Sequence, residues 1–239
     1  MRLLQSEDGA NLVEFMISMV IAAVITIGMY DLYTTFNKSN LAQSDVIETQ
    51  NAAQAAVDIM VKELQRIAVA PTITTTVTAN DTITFSRQDA SGYSTGANTG
   101  TTLNDTTAAW AVSAFVPTAT VTYSVVIATG TGVGQTRAIS SNTATLLNTA
   151  TPWTTIPDAT SRYAITHQQK FARAADSKLQ TQIGNGPFKP IADNITALSF
   201  SFDGVKTTTI NLTARTRNLD LRLGTYQYFS RSAAAVMRN

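Results

Sequence analysis

The chain contains no cysteine and a single histidine, His167, in 239 residues. Without cysteine there is no disulfide staple and no thiolate chemistry. One imidazole makes no metal site, and no Ser, Cys or carboxylate arrangement around His167 is recognisable, so a surface or strand place is expected for it. Charge is scarce as well. Only 14% of residues are charged and the formal net charge is +1, which leaves no footprint for a nucleic acid. The acids of the later sequence (Asp81, Asp89, Asp105, Asp158, Asp193, Asp203 and Asp220) are scattered at turns and none is spaced like a calcium loop. Gly130-Thr131-Gly132-Val133-Gly134 lacks the Gly-x-Gly-x-x-Gly spacing of a dinucleotide loop, no Lys-Ser/Thr follows it, and it reads as a hairpin turn. The expectation is a chain with no catalytic residues, no cofactor and no metal.

What the chain does have is one long apolar run. From Leu12 to Tyr30 only Glu14, Ser18, Thr26 and Gly28 interrupt residues such as Phe15, Ile17, Val20, Ile21, Val24, Ile25 and Ile27. That is close to the roughly 20 residues needed to cross a bilayer. A secretory signal would have a shorter apolar core, net positive charge before it and a small-residue cleavage site. Here Arg2 is offset by Glu7 and Asp8, and helical periodicity continues well past the run. A buried core helix seldom stays so apolar for so long, so a membrane span is expected.

Glu14 stands out within this run. A carboxylate at bilayer depth costs about 2.5–3.5 kcal/mol on insertion scales, so it calls for a partner. It lies five residues after Gly9. Cutting the chain after Gly9 would expose an α-amine on Ala10, one helical turn from Glu14.

The segment Gly9-Ala10-Asn11-Leu12-Val13-Glu14-Phe15-Met16 resembles the processing site of type IV prepilins and type II secretion pseudopilins. The resemblance implies that a membrane prepilin peptidase cuts after Gly9 and methylates Ala10, and that Glu14 is the assembly acid. It departs from the family in having Ala where Phe is usual and acids in the leader where Lys or Arg is typical. Tad-type pilus proteins also tolerate Ala at this position.

Beyond the span, helical period persists from Asn37 to Ala68, with no Gly or Pro before Pro71. Val46, Ala53, Val57, Met60, Val61, Leu64 and Ala68 form one amphipathic stripe. Glu48, Asp58, Lys62, Glu63 and Arg66 lie mostly off it, as on a solvated face, with Asp58 and Lys62 in the favourable acid-first spacing of four. The stretch Gln50–Ala68 is similar to the same helix in PilW-type minor pilins and J-type pseudopilins, a pattern that Tad proteins do not usually carry.

After Pro71 the composition turns to Thr, Ser, Ala and Val. Thr72–Arg87 predicts two strands around an Ala79-Asn80-Asp81 turn, with Ile83 and Phe85 on one face, and Ser91–Asn104 reads as a loop. Val121–Ala128, Arg137–Ile139, Thr143–Leu147 and Arg162–Ile165 alternate as short strands, and Gly132–Ile139 together with Trp153–Ile165 is weakly similar to small β modules of phage tail and surface proteins. Leu198, Phe200 and Phe202 share a face before the Asp203-Gly204 turn, and Ile210, Leu212 and Ala214 alternate after it. A last strand is expected within Tyr226–Met237. The order of these final strands and the terminal Val236-Met237-Arg238-Asn239 are again similar to PilW-type and J-type proteins.

The expected fold is therefore α+β, a type IV pilin fold with a long helix packed on an antiparallel sheet. Its expected parts are a leader over 1–9, a transmembrane and assembly helix over 10–70, the first part of a β head over 71–108, a β-rich insertion over 109–166, and a closing sheet over 167–239. The resemblance implies a minor, PilW-type pilin that primes or caps a filament. Its partners would be a prepilin peptidase, other major and minor pilins, and the inner membrane, with the head in the periplasm and then at the cell surface. A J-type pseudopilin of a type II secretion system and a membrane-tethered adhesin or carbohydrate-binding β module are the alternatives.

Overall fold

A computed structural model describes residues 7–74, 81–220 and 223–237, with side chains from Leu12 on except those of 69–72. Residues 1–6 of the expected leader 1–9, the Ala79-Asn80 part of the first turn and the terminal Arg238-Asn239 lie outside the described residues. The chain is α+β: one long N-terminal helix, α1 (Glu7–Leu64), is followed by antiparallel strands. It divides into two compact units, one of 1–48 with 217–227 and one of 49–216 with 228–239.

In the first unit α1 carries the apolar run. The Asp45 carboxylate accepts hydrogen bonds from the N–H groups of Arg217 and Asn218, at 3.3 and 2.9 Å. A two-residue bridge between Asp220 and Thr225 closes the rest of that loop on itself.

The second unit begins with the last turns of α1. Ala53, Val57, Met60 and Leu64 of the expected stripe are buried, joined by Ala56, while Val61 packs at the rim of the core. The helix stops at Leu64, short of the expected 70. Ala68 belongs to β1 (Ile67–Thr74), not to the helical stripe. Two causes act together. Pro71 disfavours helix at the residue before it, and the β2 backbone captures the chain, with Gln88 N–H donating to the Arg66 carbonyl at 2.8 Å. Ile67 still reaches the core that Leu64 enters, so helical spacing alone could not mark the change.

The strands that follow are β2 (Thr82–Tyr93), β3 (Thr102–Asn104), β4 (Tyr123–Thr129), β5 (Thr136–Asn142), β6 (Leu146–Thr149), β7 (Arg162–Arg173), β8 (Leu179–Ile183), β9 (Lys189–Ala192), β10 (Ile195–Phe202), β11 (Thr207–Arg215) and β12 (Tyr228–Val236). One sheet runs β1-β2-β7-β4-β5-β6-β3, with β8 added to β7 and β9 to β8. The other runs β10-β11-β12. Every pairing is antiparallel.

Two apolar cores result. The first gathers α1 with Ile83, Phe85, Phe171, Leu198, Phe200, Ile210 and Leu212. The second gathers Leu103, Val125, Ile127, Ile139, Leu147, Trp153, Tyr163 and Ile165. The expected insertion boundary at 166 falls inside β7, which pairs with β2 along its length from Arg162 to Ala172. The boundary at 109 also differs, because Leu103 of β3 pairs with Leu147 of β6 and fills the second core. The expected loop over 91–104 shrinks to 94–101 for the same reason.

The hairpin turns follow local chemistry. Asp203 Oδ1 accepts from the N–H groups of Val205, Lys206 and Thr207 at 2.8–2.9 Å, and Gly204 takes a φ of 80°, which a residue with a Cβ resists. The Gly130–Gly134 segment turns between the paired strands β4 and β5, with all three glycines at positive φ.

Candidate membrane and assembly helix

Around the whole circumference of α1 from Leu12 to Tyr30, every large apolar side chain is 54–67% exposed. No face of this stretch is covered by the other described residues. A helix apolar on all sides suits a medium as apolar as itself. At 1.5 Å per residue the stretch is about 28 Å long, close to the hydrocarbon thickness of a bilayer. It is the one helix among the described residues long and apolar enough to cross a membrane.

Its hydroxyls are prepared for such a medium. Ser18 Oγ donates to the Glu14 carbonyl at 2.8 Å, and Thr26 Oγ1 donates to the Ala22 carbonyl at 2.7 Å. Each polar hydrogen is thereby spent on the helix's own backbone, which removes the cost of an unmet donor in lipid. At the end of the run and just past it, Tyr30, Tyr33 and Phe36 project at about two-thirds exposure around Asp31. Aromatic rings of this kind are enriched at membrane–water boundaries.

Leu12, Phe15, Ile17, Val20, Ile21, Val24, Ile25 and Ile27, expected in the span, all belong to this bare stretch. Glu14 is exposed on the same stretch, and its carboxylate has no partner among the described residues. Gly9 and Ala10 lie in the first helical turns, in register with it: Ala10 and Glu14 are four apart in continuous α-helix and share a face. Gly28 has open space where a Cβ would stand, so no neighbour among the described residues requires glycine there.

Polar groups buried in the second unit were not visible from residue types alone. His167 Nδ1 lies 2.5 Å from Asp89 Oδ2, tying β7 to β2. Asp89 is thus a strand residue in an ion-pair geometry, not a turn acid. His167 Nε2 is buried without a hydrogen-bond partner among the described residues, so the pair has the orienting half of a base catalyst and no nucleophile against it. Beside it, Arg87 Nε meets Glu63 Oε2 at 2.9 Å, which takes Glu63 off the solvated face expected for it. A polar cavity of about 300 Å³ opens here, lined by Gln65, Arg66, Arg87, Gln88 and Asp89.

The second buried pair joins β7 to the β3–β4 connection. Tyr163 Oη donates to Asp105 Oδ2 at 2.5 Å. Burial alone would push the Asp105 carboxyl up. Donation by the Thr107 and Tyr163 hydroxyls and by the N–H groups of Thr107 and Ala108 outweighs it and holds the carboxyl below its usual range. Burial, and then the anion it bonds, push the Tyr163 hydroxyl far above its usual value.

No family model, curated protein or solved structure matches the chain.

One signal in the sequence did point to the buried pairs. Tyr163, Ile165, His167, Gln169 and Phe171 alternate with period two, which sets His167 on the face shared by core residues. Among the described residues no three His, Asp or Glu side chains converge as metal ligands would.

Proposed function

We propose that the protein is a prepilin-like membrane subunit, a PilW-type minor component of a type IV filament, matured by cleavage after Gly9. The observation that carries this reading is the division of α1 into two halves. Leu12–Tyr30 is apolar and bare on every side, whereas Ala53–Leu64 buries one stripe in a β-sheet core. Glu14 is the sole acidic or basic side chain from Leu12 to Tyr30.

In this reading the span first anchors the chain in the inner membrane and then bundles with the spans of other subunits. Cleavage leaves the Ala10 α-ammonium one turn from Glu14, on its own helix or facing a neighbour's. In a low-dielectric bundle the pair matters because either charge alone is costly. The charge match therefore selects a seated subunit over a displaced one. The β-rich part has no role in the membrane step and is presented to solvent or to other subunits.

The test is the N-terminal sequence and intact mass of the protein purified from cells that express a prepilin peptidase. A mature chain beginning at methylated Ala10 is expected. A chain still beginning at Met1, with the peptidase active on a control prepilin, refutes the reading.

A further inference from the structure

A strand at the rim of a sheet offers unpaired N–H and C=O groups to any other strand, and proteins normally block that contact. Four rims here are blocked. β1 holds Pro71 and two register shifts, β9 has four residues including Lys189 and Pro190, β3 has three residues, and β10 carries a bulge between Ile195 and Ala197. β12 has none of these features. Its nine residues include no Pro or Gly and one charge, Arg231, and match Thr207–Arg215 of β11 one for one without a shift.

The free side of β12 can be read from its ladder. Met237 N–H donates to the Lys206 carbonyl, on the β11 side. Alternation along an antiparallel strand then aims the N–H and C=O of Tyr228, Ser230, Ser232, Ala234 and Val236 away from β11. All five residues are exposed, and no strand among the described residues pairs with that side.

We propose that β12 pairs with β12 of a second copy of this chain, antiparallel about Ser232, so that two three-stranded sheets become one continuous sheet. Ser232 is the midpoint of Tyr228–Val236, so this register alone engages the entire strand on both copies. It sets Tyr228 against Val236, an aromatic–β-branched pair of the kind that stabilises sheets. It also sets Arg231 against Ala233, so the two guanidinium groups do not face each other. Centring the axis one residue earlier, on Arg231, would oppose them. The outward Ser230, Ser232 and Ala234 are small and leave the approach unobstructed. Such a contact is two-fold and closed, unlike the open contacts of a filament. It uses no residue of the Leu12–Tyr30 span and stands whether or not the chain is a pilin.

The test uses the full chain in mild detergent. Light scattering corrected for bound detergent should give a dimer for the natural chain. Ser232→Lys places two ammonium groups opposite each other, and Ala234→Pro removes an outward donor without touching the β11 ladder. Both should give monomers with unchanged circular dichroism. Because the chain lacks cysteine, Ser232→Cys should cross-link to a dimer with a short bis-maleimide, whereas Asn211→Cys, exposed on the central strand, should not. A monomeric natural chain, a dimer that survives Ser232→Lys, or equal cross-linking of the two cysteine variants overturns the proposal.

Discussion

Tyr163 on β7 reaches Asp105 across 58 positions of sequence, and their 2.5 Å hydrogen bond closes over Gly92 of β2. A Cβ at position 92 would stand 2.5 Å from Asp105 Oδ2 and 2.6 Å from Tyr163 Oη. The bond and the glycine are therefore one feature: the backbone must come close for the two side chains to meet.

Gly92→Ala should destabilise the protein by about 1–3 kcal/mol through this overlap. A fall in the urea midpoint with unchanged slope checks it. Gly28→Ala, where a Cβ meets open space, should not lower stability in the same assay.

Tyr163→Phe should cost about 1–3 kcal/mol at neutral pH, because it strips a donor from a buried carboxylate. The pH dependence separates this from a packing loss. The Asp105 carboxyl is lowered in the fold, so its contribution is present above the ordinary carboxyl value near 3.8 and fades as pH falls. The Tyr163 hydroxyl is raised, so its contribution is intact below about 10 and drains away as pH climbs beyond that. Urea unfolding followed from acid to alkaline pH should show Tyr163→Phe with a flatter alkaline limb than the natural chain.

Met60→Ala should cost about 2–5 kcal/mol, since Met60 of α1 is wholly buried in the first core. Ile59→Ala, one position round the helix and exposed, should change stability by less than about 0.5 kcal/mol. Chemical denaturation of the two variants side by side is the check.

Ile21→Arg places a charge mid-way along the bare stretch and should weaken membrane retention by about 3 kcal/mol. More of the variant should appear in the soluble fraction after alkaline extraction of membranes.

On the prepilin reading proposed above, Glu14→Ala should leave cleavage after Gly9 largely intact and impair incorporation into filaments. Immunoblots of sheared filament fractions against whole cells measure this. Normal incorporation removes the assembly role from Glu14.

The sequence showed the elements more clearly than their partners. The apolar run, the amphipathic stripe at Ala53, Val57, Met60 and Leu64, and the Asp203-Gly204 hairpin were legible because each follows from local periodicity or turn chemistry. The end of α1 was not, because Ile67 fits a helical stripe and a buried strand equally well, and pairing with β2 decides between them. Nor could the sequence join Tyr163 to Asp105, Asp89 to His167 or Glu63 to Arg87, since each pair is distant in sequence and depends on which elements lie side by side. The alternation along β7 was the one available hint that His167 is buried.

β7 also governs how the β-rich unit responds to load. One uninterrupted strand lends Tyr163 and Ile165 to one core and Phe171 to the other. With a single backbone stitched through both, displacement of one half is carried into the other by the strand they share. Pulled from either end, the unit should yield in one rupture, as a rivet fails, and not as two beads on a string.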